Sequence, residues 1–132
     1  MNIGLIGIGT VGGGTYQVLK ENAAEISNKS GIEIKITHVA DKNLKLAKET
    51  VENETIVEED AFSLIENSSI DTIIELIGGT GIALDIVRKA LENGKHVVTA
   101  NKALIAMHGE ELFKIANKKN VLLAYEAAVA GG

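Results

Sequence analysis

The segment Gly7-Ile8-Gly9-Thr10-Val11-Gly12-Gly13-Gly14 constrains this chain more than any other. It follows at once on the strand-like run Asn2 to Ile6 and leads into residues spaced for a helix: Val11, Thr15, Val18, Leu19, Ala23 and Ile26. The spacing predicts that helix over about Val11 to Ile26. Strand, G-x-G-x-x-G and helix in that order give each glycine a task. Gly7 permits the tight turn out of the strand, Gly9 lets a pyrophosphate approach a backbone without Cβ, and Gly12 lets the helix pack close to the strand. The free N–H groups of the first helical turn, at its positive dipole end, then face the phosphates. Thr10 or Thr15 is placed to add a hydroxyl. No G-K-[ST] follows, so the loop is not of the P-loop type. The competing reading is a glycine-rich turn with no ligand.

The rest of the chain alternates short apolar runs with amphipathic stretches, the pattern of βαβ units and a parallel sheet covered on both faces. After the first strand and helix come a second strand over Ile32 to Ala40 and a helix over Leu44 to Glu52. A short strand over Thr55 to Val57 and a short helix over Asp60 to Glu66 follow, with Phe62 and Ile65 inward. Asp71 to Ile77 reads as a buried strand closed by Gly78-Gly79, and Ala83, Ile86, Val87, Ala90 and Leu91 mark the clearest amphipathic helix. Lys95 to Thr99 is the fifth strand, Leu112, Ile115 and Ala116 mark a last helix, and Val121 to Tyr125 is the sixth strand. The expected fold is a doubly wound α/β parallel sheet of Rossmann type, order 3-2-1-4-5-6, with its ligand at the carboxyl ends of the strands where the order reverses. At 132 residues, the whole chain is one such domain. With no Trp and no Pro, its core is aliphatic.

Candidate site residues fall at those carboxyl ends. Asp41, after the second strand, is placed to bond adenosine ribose hydroxyls, although it lies beyond the ~20 residues usual for the motif. It is also placed to cap the following helix. A carboxylate there repels a 2′-phosphate while the adjacent Lys42 attracts one, so NAD is favoured over NADP with both left open. Gly78 and Gly79 suit the close approach of a ribose or nicotinamide, or form an ordinary turn. Thr99, Asn101 and Lys102 bring a hydroxyl, an amide and an ammonium to the same edge. A cation at a helix start opposes the dipole, which favours a role for Lys102 in holding a substrate oxygen or carrying a proton. The small residues after Tyr125, with Glu126, suit either coordination of a hard cation through oxygen or a hinge. His38, His96 and His108 lack metal-ligand spacing and read as structural, and Glu58-Glu59-Asp60 as a solvated helix start. A net charge of −5 argues against a nucleic-acid partner. With no cysteine, there is no disulfide or thiolate site. No apolar run is long enough to span a membrane. No signal peptide is read at the N-terminus, and a cytoplasmic setting is expected.

Four runs together carry a family resemblance: Gly7 to Gly14; Glu75-Leu76-Ile77-Gly78-Gly79; Gly94-Lys95-His96-Val97-Val98-Thr99-Ala100-Asn101-Lys102-Ala103-Leu104; and Glu126-Ala127-Ala128-Val129-Ala130-Gly131-Gly132. The chain resembles the N-terminal nucleotide-binding domain of homoserine dehydrogenase. That resemblance implies reversible NAD(P)-dependent oxidation of homoserine to aspartate 4-semialdehyde, on the route to threonine and methionine. Lys102 would lie at the active site. Gly7, Gly9, Thr10, Val11 and Gly12, with the ends of the fourth and fifth strands, would hold the cofactor. Glu126, Val129 and Gly131 would hold a sodium ion together with one residue further on. Family members commonly carry a proline near Ile82, which this chain lacks. The family's substrate and dimerisation domain is expected after residue 132, so this chain is expected to bind cofactor without turnover while the full-length protein is a homodimer. A stand-alone nucleotide-sensing module would have no use for Thr99 to Lys102. The cofactor domain of another two-domain dehydrogenase is the remaining alternative.

Overall fold

The computed structural model describes residues 1–11, 13–52 and 54–126, and of residues 10, 11 and 13 the backbone alone. Six parallel strands form one sheet in the order β3-β2-β1-β4-β5-β6. The strands are β1 (Asn2–Ile6), β2 (Lys35–Ala40), β3 (Ile56–Glu58), β4 (Thr72–Glu75), β5 (His96–Thr99) and β6 (Leu123–Tyr125). The helices are α1 (Ile8–Val11), α2 (Gly13–Ser30), α3 (Leu44–Thr50), α4 (Ala61–Glu66), α5 (Ile82–Glu92) and α6 (Lys102–Lys119). This is the expected doubly wound α/β architecture.

Alternation along the strands feeds two cores. Ile3 and Leu5 of β1 and Ile74 of β4 pack with Ile8, Tyr16, Leu19 and Ala47 under α2 and α3. Ile6 and Ile73 face the other way, against Leu64, Ile86, Val87, Leu104 and Leu112 of α4, α5 and α6. Such two-sided burial is why the central strands read as unbroken apolar runs.

Several boundaries differ from the sequence-based expectation, each for a local reason. The single helix expected over Val11 to Ile26 is two pieces, α1 and α2, and runs on to Ser30. Its inward face is Thr15, Tyr16, Leu19 and Ala23, whereas Val18 and Ile26 are exposed. β2 starts three residues later than Ile32 because β1 offers its first ladder partner only there: the Lys35 amide donates to the Met1 carbonyl at 2.9 Å. β4 stops at Glu75 rather than Ile77: the Leu76 amide still joins the ladder, but those of Ile77 and Gly78 turn to a side chain, as described below. The last helix begins at Lys102, well before the apolar triplet that announced it, with Asn101 as its N-cap.

Candidate functional site

Strand register aligns one terminal row across the sheet: Glu58, Ala40, Ile6, Glu75, Thr99 and Tyr125. The backbone ladder then carries on one step past β2, β1, β4, β5 and β6. Asp41 N–H donates to Glu58 O, Gly7 N–H to Ala40 O, Leu76 N–H to Ile6 O, Ala100 N–H to Glu75 O and Glu126 N–H to Thr99 O. This continuation fixes the height at which Gly7, Asp41, Leu76, Ala100 and Glu126 leave the sheet. β1 and β4 are neighbours at the reversal of strand order, so the crevice opens between the turns that follow them.

On the β1 side, Gly7 has φ +93°, which an L side chain rarely adopts. A Cβ there would lie 2.9 Å from both Cγ1 and the amide nitrogen of Ile77. Gly7 therefore serves both the turn and the contact that closes the floor of the crevice. Gly9 is exposed and its N–H donates to Asp41 Oδ2 at 2.5 Å. A Cβ on Gly9 would approach the same oxygen to 2.9 Å. One amide of the glycine loop is thus held by the carboxylate from the end of β2 rather than left open. Gly12 lies outside the described residues, as do the side chains of Thr10 and Val11. Thr15 is buried on α2.

Asp41 does not cap α3. Asn43 does, its Oδ1 accepting the Leu46 amide at 3.1 Å, while Asp41 Oδ1 accepts the Asn43 amide at 2.9 Å. A cleft of about 530 Å³ lies beside Asp41, bounded by Gly7 and Ile77 on one wall and Phe62, Ile82 and Ile86 on another. That is within the usual range for small-molecule sites, as is its apolar wall with a few polar groups. Three acids, Asp41, Glu59 and Asp60, line it against one base, Lys42. Asp60 also N-caps α4, accepting the Phe62 amide at 2.9 Å.

On the β4 and β5 side, Gly78 and Gly79 have φ +81° and +71°, and a Cβ on either would meet no protein atom within 4 Å. Backbone conformation, not crowding, selects glycine there, and the space above is open. Thr99 and Asn101 are buried and their side chains are engaged within the protein. Thr99 Oγ1 donates to Glu75 Oε1 at 2.7 Å and accepts the Asn101 amide at 3.0 Å. Asn101 Oδ1 accepts the Leu104 amide at 3.0 Å, and its Nδ2 donates to the Gly79 carbonyl. Lys102, one residue on, is the first of α6 and exposed.

Glu126 is exposed and anchored through its backbone to Thr99; Val129 and Gly131 lie outside the described residues. Among the described residues no group of three or more His, Asp or Glu side chains is gathered for a metal. His38 sits between Thr37 Oγ1 at 2.8 Å and Asn67 Nδ2 at 3.4 Å, and His96 Nδ1 accepts the Leu122 amide at 3.0 Å. Both rings are hydrogen-bonded within the fold. No helix among the described residues is long and apolar enough to cross a membrane.

Two polar residues escaped notice as individuals. Glu75 is fully buried at the end of β4. Lys95 is buried at the opposite edge of the sheet, its Nζ donating to the carbonyls of Asn67 at 2.8 Å and Ile70 at 2.6 Å. The signal for Glu75 was a charged residue inside an apolar run, which a strand assignment by periodicity passes over; Lys95, between Gly94 and His96, carried no such signal.

The family model for the homoserine dehydrogenase NAD-binding domain matches residues 7–126. The chain belongs to that family. A homoserine dehydrogenase of Neisseria gonorrhoeae is 50% identical over all 132 residues, and one of Pseudomonas aeruginosa 48%. The chain spans about 30% of the length of each. A crystal structure of a homoserine dehydrogenase from Thiobacillus denitrificans superposes with TM-score 0.87 at 43% identity, over 97% of this chain and 30% of that one.

Proposed function

We propose that the chain binds a nicotinamide dinucleotide along the carboxyl edge of its sheet, adenosine half beside Asp41 and nicotinamide half beside Gly78, Gly79 and Lys102. The observation that carries this is the pair of glycine turns meeting at the β1–β4 crevice, Gly7 against Ile77, with exposed Gly9 on one side and open space over Gly78 and Gly79 on the other. From β2 to β5 the sheet spans three strand spacings, roughly 14 Å, a width suited to an extended dinucleotide lying across it. Gly7, Gly9, Thr10, Val11 and Gly12 hold the diphosphate. Asp41 exchanges its Gly9 amide for ribose hydroxyls, or bonds both. The acids around Lys42 make NAD the preferred cofactor, because a 2′-phosphate would enter a cleft already in acidic excess.

The activity proposed for the longer protein is oxidation of homoserine to aspartate 4-semialdehyde, as the names of the relatives suggest. When bound, the nicotinamide ring is the hydride acceptor. Lys102 either holds the substrate oxygen or carries away the proton that leaves it. Glu126, Val129 and Gly131 are proposed to bind a sodium ion through oxygen, and the full-length protein to be a cytoplasmic homodimer with no nucleic-acid partner.

The test is titration of the purified 132-residue chain with NADH, following nicotinamide fluorescence, and an assay with homoserine. Saturable binding without turnover is the expected result. Failure to bind NADH contradicts the site, and homoserine-dependent NADH formation by this chain alone contradicts the requirement for further domains.

A further inference from the structure

Glu75 is a carboxylate with no solvent exposure. Among the described residues no ion pair involves it. A lone buried acid is costly unless donors surround it. Here they do: Thr99 Oγ1 donates to Oε1 at 2.7 Å, and the Ile77 and Gly78 amides donate to Oε2 at 2.7 and 3.2 Å. For packing alone, an apolar side chain of similar size would serve as well or better. The acid does something a leucine would not.

Its partners show what. Glu75 and Thr99 are register neighbours on β4 and β5, so the first bond spans adjacent strand ends. Thr99 Oγ1 then accepts the Asn101 amide, and Asn101 Nδ2 returns to the Gly79 carbonyl. The result is a closed circuit through the end of β4, its glycine turn, the start of α6 and the end of β5. Because N–H and C=O are anti across a trans peptide, turning the Ile77 and Gly78 amides toward Glu75 directs the carbonyls of Leu76 and Ile77 away from it. The circuit thereby sets which face of the turn presents acceptors, and it sets where Lys102 begins its helix.

We infer that Glu75 is a positioning residue for the nicotinamide half of the cofactor. Acting through Thr99 and Asn101, it holds the Gly78-Gly79 turn with acceptors arranged for a ribose hydroxyl or carboxamide, and fixes the base of Lys102. This rests on the dinucleotide reading above and extends it. Glu75 is inaccessible and does not itself touch ligand. Glutamine is a poor substitute, because one of its two ends is a donor facing donors.

The experiment compares NADH and ADP binding in the 132-residue chain for wild type, Glu75→Gln, Glu75→Leu, Thr99→Val and Thr99→Ser. ADP carries the adenosine and diphosphate only. The expected result is a loss of about tenfold or more in NADH affinity for both Glu75 variants and Thr99→Val, with ADP affinity kept within about twofold and NADH binding retained by Thr99→Ser, whose hydroxyl completes the circuit. Equal losses for both ligands, or unchanged NADH affinity, overturn the inference. Should the Glu75 variants not fold, the valine–serine contrast at Thr99 decides alone. Wild type that binds ADP but gains nothing from the nicotinamide half also overturns it, leaving the adenosine site standing. Wild type that binds neither removes the dinucleotide reading and this inference with it.

Discussion

Oδ2 of Asp41 accepts the Gly9 amide hydrogen at 2.5 Å, which ties the end of β2 directly to the glycine loop after β1. The carboxylate is therefore both a support for the loop and the group nearest the expected adenosine ribose. Its other oxygen orders the approach to α3 through the Asn43 amide.

Replacing Asp41 should act on cofactor choice. Hydrogen bonds to a charged group are worth about 1.5–3 kcal/mol, so Asp41→Ala should weaken NADH binding by about tenfold or more. NADPH, whose 2′-phosphate this acid repels, should lose less. Lys42→Ala should weaken NADPH and leave NADH nearly unchanged. Parallel titrations of both variants with both cofactors check the pair. Equal behaviour of both variants and wild type would contradict the β2 assignment.

The two glycines nearest the crevice should fail differently. At Gly7 an alanine meets both a left-handed φ and the backbone of Ile77. Backbone cannot step aside, so Gly7→Ala should lower unfolding free energy by at least about 1–2 kcal/mol. At Gly9 the obstacle is the tip of the Asp41 side chain, which can rotate away. Gly9→Ala should remain close to wild type in urea denaturation while losing NADH affinity. A Gly9 variant that unfolds as readily as the Gly7 variant would contradict this division.

Much of this arrangement is legible in the chain itself. Strand order follows from alternating apolar runs and handed crossovers, and the turn at Gly7 from its place after β1. Asp41 is found at the end of β2 because a polar residue ends an apolar run. Local pattern does not show what partners a buried polar residue meets. Glu75 ends Thr72–Glu75; two of its donors are amides of the turn that follows it, and the third, Thr99, reaches it only once β4 and β5 pair. Thr99 and Asn101 read as ligand contacts because hydroxyl and amide stood at the right edge, yet the fold turns both inward. The start of α6 was signalled by Asn101, a favoured N-cap residue, ahead of an apolar series beginning at Leu104.

Lys95 gives a pH signature distant from the crevice. Burial lowers its pKa from 10.5, against a smaller opposing effect of the nearby Asp71 carboxylate. Below both the folded and unfolded values, the lysine is charged in both states and the burial penalty is fully present. Between the lowered folded value and 10.5 the unfolded chain binds more protons, so this group makes stability rise with pH. Urea denaturation at a series of alkaline pH values should show wild type gaining relative to Lys95→Met as pH approaches 10.5. A difference that is flat, or that moves the other way, would show the ammonium to be solvated in the folded chain.

The most direct test of the central claim is amide mapping by two-dimensional NMR during NADH titration. The amides of Gly7, Ile8 and Gly9 should shift together with those of Asp41, Gly78 and Gly79, saturating along one binding curve. Shifts confined to other surfaces, with the Gly7 to Gly9 amides unmoved at saturation, would contradict it.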